Sequence, residues 1–336
     1  MKVLLIGGTG NISSYVSKSL LEKGVDLYLL NRGNSNLDLP GITHIKGDIR
    51  NRKEMLNILS DQKFDVVVDW IAFTVDHVEF DYEVFKDKVK QYIFISSASV
   101  YQKPPSTPYI TESTPLKNPY WQYSRDKIAC EDFLIKQYRE NDFPMTIVRP
   151  SHTYATILPI ISPGHTNYAF IDRIKKGKEV FLHGDGTTLW TLTHAEDFAR
   201  GFCGLVGNIH SIGHTFHITS DEILTWNQIY EIMADTLEVR LNIVYIPSDF
   251  LNKCNSQLGS SLLGDKAYSM IFDNSKIKRF VPEYKAIIPF SEGIKRVFEW
   301  FEADPKRMSI DDSINEEIDR IISLYKRNLR ESNREG

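Results

Sequence analysis

The sequence predicts an α/β fold, a doubly wound parallel sheet followed by a smaller C-terminal lobe. Three observations predict it. Short apolar runs alternate with helical patterns from the first residues to Val148. Glycines cluster between the first run and the first helix. After Pro150 the alternation loosens into loops marked by proline and glycine.

Residues 2–6 form an apolar run that ends in glycines, as a buried strand does. Residues 11–23 place Val16, Leu20 and Leu21 on one face of a helix. Strands are expected at 26–30 and 44–45, a helix at 52–59, and strands at 64–68 and 92–95. Helical spacing returns over 121–138, before a strand at 145–148. Beyond it the pattern predicts helices at 168–176 and 194–206 and a strand at 180–182. Residues 215–218 read as a strand that returns to the main sheet. Residues 310–330 read as a charged amphipathic helix. The expected organisation is a first domain over 1–150, a substrate lobe over 151–310, and a terminal helix and tail over 311–336.

Length and composition agree with a globular protein. The chain has 336 residues, 42% hydrophobic and 25% charged, and a net charge of −4. That balance gives no electrostatic reason to expect nucleic acid. Three cysteines stand far apart, at 130, 203 and 254, without disulfide or metal spacing. No leader-like segment and no bilayer-length apolar run is visible, so a cytoplasmic location is expected by elimination.

The turn Gly7-Gly8-Thr9-Gly10-Asn11-Ile12-Ser13 joins the first strand to the first helix. A dinucleotide pyrophosphate needs close approach to backbone N–H groups at a helix N-terminus, which residues lacking Cβ permit. Gly7, Gly10, Asn11 and Ile12 are therefore candidate cofactor contacts. The second strand ends Leu30-Asn31-Arg32 with no carboxylate to bind an NAD ribose. Arg32 reads either as a partner for the 2′-phosphate of NADP or as a solvated surface arginine.

Tyr123 and Lys127 stand four apart on an expected helix and share a face. An ammonium beside a phenol favours the phenolate, so the pair is expected to lower the tyrosine pKa for acid–base work. Upstream, Ser96-Ser97-Ala98-Ser99-Val100-Tyr101 follows a strand and offers a hydroxyl to a substrate oxygen.

Glycine turn, serine cluster and Y-x-x-x-K in this order resemble the extended short-chain dehydrogenase/reductase family of nucleotide-sugar epimerases and dehydratases. The resemblance covers the chain to about residue 220 and continues more weakly to about 300. It implies a Rossmann sheet, bound NAD or NADP, and Ser97, Tyr123 and Lys127 as the catalytic centre. It also implies that Asp48 and Ile49, in Gly47-Asp48-Ile49, lie near the adenine. Arg149-Pro150 matches a segment whose backbone lies near the nicotinamide in that family, making Arg149 a cofactor candidate. Gly184-Asp185-Gly186 and His194-Ala195-Glu196-Asp197 match two further family segments.

Three departures bear on the substrate. His152 stands where nucleotide-sugar enzymes of the family usually have asparagine. Trp190 stands where they carry an arginine that grips the diphosphate. Ala98 and Ser99 stand where 4,6-dehydratases have an acidic pair, which disfavours dehydration. Trp190 reads as a stacking platform or as core, and His152 as a phosphate donor, a second acid–base group or a buried histidine. Ser99 is a third substrate candidate.

The reaction expected is an NAD(P)-dependent epimerisation or oxidoreduction of a sugar or nucleotide-sugar-like molecule. A small-carbonyl reductase is one alternative. The other is an RNA-associated or pseudoenzyme role, because the sequence also resembles the atypical branch of chloroplast stem-loop-binding proteins. A small-molecule substrate is the expected partner, without nucleic acid or membrane, and a homodimer stays open.

Overall fold

The structure, a computed structural model, describes residues 1–33 and 39–335. Its centre is a seven-stranded sheet. The strands are β1 (Lys2–Ile6), β2 (Asp26–Asn31), β3 (Thr43–Lys46), β4 (Phe64–Asp69), β5 (Val89–Ile95), β6 (Met145–Pro150) and β7 (Thr215–Ile218). Their order across the sheet is β7-β6-β5-β4-β1-β2-β3, and every neighbouring pair is parallel. Order reverses between β1 and β4, the switch point where such sheets bind ligands beyond their carboxyl ends.

Helices cover both faces, which explains why the central strands read as continuous apolar runs. Helix α1 (Ser13–Glu22) buries Val16 and Leu20 against one face, with Phe198 and Phe202 of the helix Ala195–Cys203. On the other face, helix α2 (Arg52–Leu59) contributes Met55 and Leu59. Helix α3 (Val75–Phe85) adds Val78 and Val84 there, and helix α4 (Gln122–Asn141) adds Cys130 and Leu134. Burial pushes the Cys130 thiol up to about 12 and Cys203 likewise, so both are core residues rather than nucleophiles.

The sequence reading had left α3 unassigned. Its stretch Val78-Glu79-Phe80-Asp81-Tyr82-Glu83-Val84 alternates with the two-residue period of a strand. Thr74 and His77 close a capping box at its start and favour the helix instead. Strand β5 begins three residues before the expected 92, and α4 runs to Asn141, where Asp142 turns left-handed at φ 51°.

Residues after β6 build the second lobe from two-stranded pairs and helices. Strand His152–Tyr154 pairs with Leu192–His194, and Glu179–His183 pairs with Asn242–Ile246. The lobe has its own core, in which Trp190, Trp226, Phe170, Phe290 and Phe301 meet. The terminal helix Asp312–Glu335 buries Ile318, Ile321 and Ile322 into it. No helix among the described residues is long and apolar enough to cross a membrane.

Candidate active site

The glycine turn opens directly from β1. Gly7 has φ 103° and Gly8 φ 71°, values that L side chains rarely adopt. A Cβ on Gly7 would press on Ile71 and Trp70 at 3.2 Å, and one on Gly8 would strike Leu29 at 2.6 Å. Gly10 N donates to Ser13 Oγ at 2.8 Å, and no side chain caps α1, which leaves its N-terminus facing the groove. Asn11 has a second task. Its side chain donates to Thr153 O at 3.1 Å and accepts from Thr156 N at 2.9 Å, stapling the turn to the lobe.

Two hollows run along the carboxyl edge of the sheet from this turn. One, of about 400 Å³, is lined by Arg32, Asp48, Ile49 and Arg50. Asp48 Oδ1 accepts from Arg50 N at 2.9 Å, and the Arg50 guanidinium reaches across to Ile71 O. The side chain of Arg32 is exposed at the rim. Sequence reasoning missed Arg50, although it directly follows the Gly47-Asp48-Ile49 segment.

The other hollow, of about 500 Å³, brings the glycine turn together with Ser97, Tyr123 and Lys127. Pro150 and Ser151 close its far side. Tyr123 lies 4.9 Å from the Trp121 ring and 6.4 Å from Phe73, centroid to centroid. Ser97 lines the same hollow beside its phenol. Lys127 Nζ donates to Ala72 O at 2.6 Å and Ile95 O at 2.7 Å, so the loop after β4 and the last residue of β5 fix its position. Asp69 Oδ1 in turn holds that loop by accepting from Ile71 N and Ala72 N at 2.5 and 2.8 Å.

The expected lowering of the Tyr123 pKa is not found. Burial raises it, because a phenolate is poorly solvated there. The Lys127 ammonium is spent on two carbonyls and sits 5.8 Å from the tyrosine ring centroid. Burial instead lowers Lys127 itself, to about 8.

Three other candidates take defined places. Arg149 does not line either hollow with its side chain. Its guanidinium is buried on Glu131, Nε to Oε1 at 3.0 Å and Nη2 to Oε2 at 2.5 Å, while its neighbour Pro150 reaches the cavity. Ser99 is consumed inside the protein. It hydrogen-bonds with Ser97 Oγ at 2.9 Å and accepts from Ser124 Oγ at 2.8 Å, so it supports Ser97 rather than facing a substrate. Trp190 is core, 1% exposed and packed 5.9 Å from the Trp226 ring. A buried indole offers no face to a ligand base.

His152 is placed at the inner wall of the lobe, 6.2 Å from Trp226 between ring centroids. Burial holds it neutral, and its Nδ1 has no partner among the described residues. Glu131 was missed, yet it stands four residues after Lys127 on the face that carries Tyr123. Its Oε1 also accepts from Ser96 Oγ, at 2.5 Å.

Comparison with known proteins gives a family and a fold. The family model described as "NAD dependent epimerase/dehydratase family" matches residues 3–219. The chain is 28% identical over 252 residues to the chloroplast stem-loop binding protein of 41 kDa b of Arabidopsis thaliana. That match covers 69% of this chain and 62% of the plant protein. It is 22% identical over 286 residues to 2'-dehydrokanamycin reductase of Streptomyces kanamyceticus, covering 85% of this chain and 80% of the reductase. Among solved structures, dTDP-glucose 4,6-dehydratase of Bacillus anthracis in complex with NAD superposes with a TM-score of 0.71. It is 19% identical, covers 91% of this chain and 98% of that one, and shows a likeness of fold.

Proposed function

The chain belongs to the NAD-dependent epimerase/dehydratase family, and from that premise we propose that it oxidises or reduces a sugar-like alcohol or carbonyl at Tyr123. The observation that carries the reading is convergence. Ser97, Tyr123 and Lys127 share one hollow with a glycine turn that no side chain obstructs. Positive φ at Gly7 and Gly8 and the open N-terminus of α1 fit a pyrophosphate. A nicotinamide cofactor held there would supply the hydride donor or acceptor. Ile49 and Asp48 would border the adenine, and Arg32 would meet a 2′-phosphate.

Tyr123 moves the proton. As a carbonyl is reduced, its phenol O–H bond breaks and the proton goes to the substrate oxygen. In the reverse direction the phenolate takes the hydroxyl proton. Burial keeps the phenol protonated at neutral pH, the form needed for reduction. Ser97 donates to the same oxygen and is itself oriented by Ser99. Lys127, still an ammonium at pH 7, fixes the floor of the site through Ala72 O and Ile95 O and presents its charge to the ribose.

Retention of the cofactor through a turnover gives an epimerase, and exchange gives a reductase. The name of the 2'-dehydrokanamycin reductase lends some support to the second. The reading is tested by Tyr123→Phe. The variant should keep nicotinamide affinity within about twofold and lose turnover by roughly 10²–10⁴-fold. Unchanged turnover would move the chemistry to another residue. For the cofactor, Arg32→Ala should weaken NADP by roughly tenfold and NAD hardly at all, since one charge-assisted contact is lost. Equal losses would make Arg32 a surface residue.

A further inference from the structure

A third hollow, of about 520 Å³, lies in the second lobe next to Trp121. Trp121 connects it to the chemistry, because the indole packs 4.9 Å from the Tyr123 ring. The opposite wall is a π-helical turn, Leu262–Lys266. That turn is pinned by Asn118, whose Nδ2 donates to Gly264 O at 2.6 Å. A Cβ on Gly264 would meet Trp121 at 2.7 Å. The close approach brings Lys266 Nζ to 5.8 Å from the Trp121 ring. Ile160, Leu258 and Leu262 supply apolar wall.

The charge in this hollow is small. No arginine or carboxylate is among the lining residues, and Lys266 is their only lysine. Lys266 lies 3.5 Å from Asp265, which also approaches the buried Lys103 at 3.7 Å. The three groups together carry one net positive charge. The histidines nearby add none. His165 lines the hollow, and burial together with the Lys266 charge lowers its pKa and those of His152 and His183.

Neutral hydrogen-bonding groups, in contrast, are several: Ser162, Asn255, Gln257 and Ser261 all line the hollow. Ser162 Oγ lines the hollow and is buried without a partner among the described residues. A buried polar atom costs about 1–3 kcal/mol when left unbonded, so Ser162 marks a point on this wall where a ligand can supply the partner.

A diphosphate requires the opposite equipment, namely bidentate arginines or several concentrated donors for two negative charges. An aromatic wall with neutral donors and acceptors suits the hydroxyls and apolar face of a sugar ring. We propose that the hollow between Trp121 and Lys266 is the substrate pocket, and that it takes an uncharged, polyhydroxylated glycoside rather than a nucleoside-diphosphate sugar. This rests on Tyr123 being the reacting group, since only Trp121 joins the pocket to the reaction.

Saturation-transfer NMR on the purified chain tests it without needing turnover. The probes are the methyl glycosides of glucose, galactose, mannose and N-acetylglucosamine, compared with UDP and dTDP. At least one methyl glycoside should give saturation transfer, and neither nucleotide should at the same millimolar concentration. Trp121→Ala should weaken that glycoside by roughly tenfold, the worth of one aromatic face. Lys266→Ala should change it by less than about twofold, because no ligand charge is engaged. Binding of UDP or dTDP that Lys266→Ala abolishes would overturn the proposal, and so would a panel in which no glycoside binds. Titrating NAD and NADP into the same samples keeps the two readings apart. Glycoside binding without cofactor binding would sink the proposed function and leave the pocket standing. Cofactor binding without glycoside binding would do the reverse.

Discussion

The two sides of the reaction centre treat buried polarity in opposite ways. On the sheet side, Lys127 is held by two carbonyls, and Arg149 by both oxygens of Glu131. Gln91 Nε2 alone donates to Thr146 Oγ1, Leu205 O and Ser211 Oγ. On the lobe side, His152 Nδ1, His183 Nδ1, Thr191 Oγ1 and the Nε1 atoms of Trp190 and Trp226 are buried without partners among the described residues. The sheet side is rigid before any ligand arrives, as a centre that must hold a proton donor in place requires. The lobe side leaves its hydrogen-bonding capacity for something else. The sheet side has exceptions, among them Trp70 Nε1, Asp197 Oδ1 and one carboxylate pair. Asp69 and Asp81 are both fully buried, each with one unpartnered oxygen, and burial beside Asp69 pushes the Asp81 carboxyl well above the usual range.

This contrast is open to attack by mutation. Glu131→Ala should have the largest effect on stability, a loss of about 3–5 kcal/mol, because it strands a buried guanidinium. Chemical denaturation measures it, and a loss under 1 kcal/mol would mean that the sheet side is not organised by that pair.

The next effect is on rate. Lys127 should lose its proton as pH rises through about 8. Turnover at saturating cofactor should therefore fall above that pH and stay level just below it. A profile flat from pH 7 to 10 would remove the ammonium from the mechanism.

Asp81 gives a smaller, oppositely placed signal. Its folded pKa is raised, so the folded state binds the extra proton. Stability from this group is full below the unfolded carboxylate range and declines as pH rises toward the folded value. Asp81→Asn should flatten that decline in a series of melting temperatures.

The smallest effect belongs to the lobe. Thr191→Val removes a buried hydroxyl that bonds nothing, and should stabilise the chain by about 1 kcal/mol or leave it unchanged. A clear destabilisation would show that the lobe's polar atoms are satisfied after all.

Much of the sheet side was legible in the sequence because local rules wrote it. Strands β1, β4 and β6 are apolar runs buried on both faces, and the glycine turn needs conformations only glycine adopts readily. Tyr123, Lys127 and Glu131 repeat at four-residue spacing on one helix, so even the missed Glu131 had a visible signal. The lobe was less legible because its contacts are made between distant segments. Trp121 meets the turn at Leu262–Lys266 from more than a hundred residues away, and no periodicity announces that. The choice between the two readings of Trp190 stayed open for the same reason, since its burial depends on Trp226 and not on its neighbours. Strand-like alternation hid α3, whose cap at Thr74 and His77 decided the matter.

The central claim is that the groove from Gly7 to Tyr123 holds a nicotinamide cofactor. Calorimetric titration of NAD and NADP into the purified chain tests it most directly, with Gly7→Ala as the control. At φ 103° and 3.2 Å from Ile71 and Trp70, an added methyl strains the turn where the pyrophosphate would lie. The account predicts one cofactor bound per chain, with binding lost in Gly7→Ala while the melting of the rest of the fold is kept. No binding of either cofactor to the native chain would contradict it.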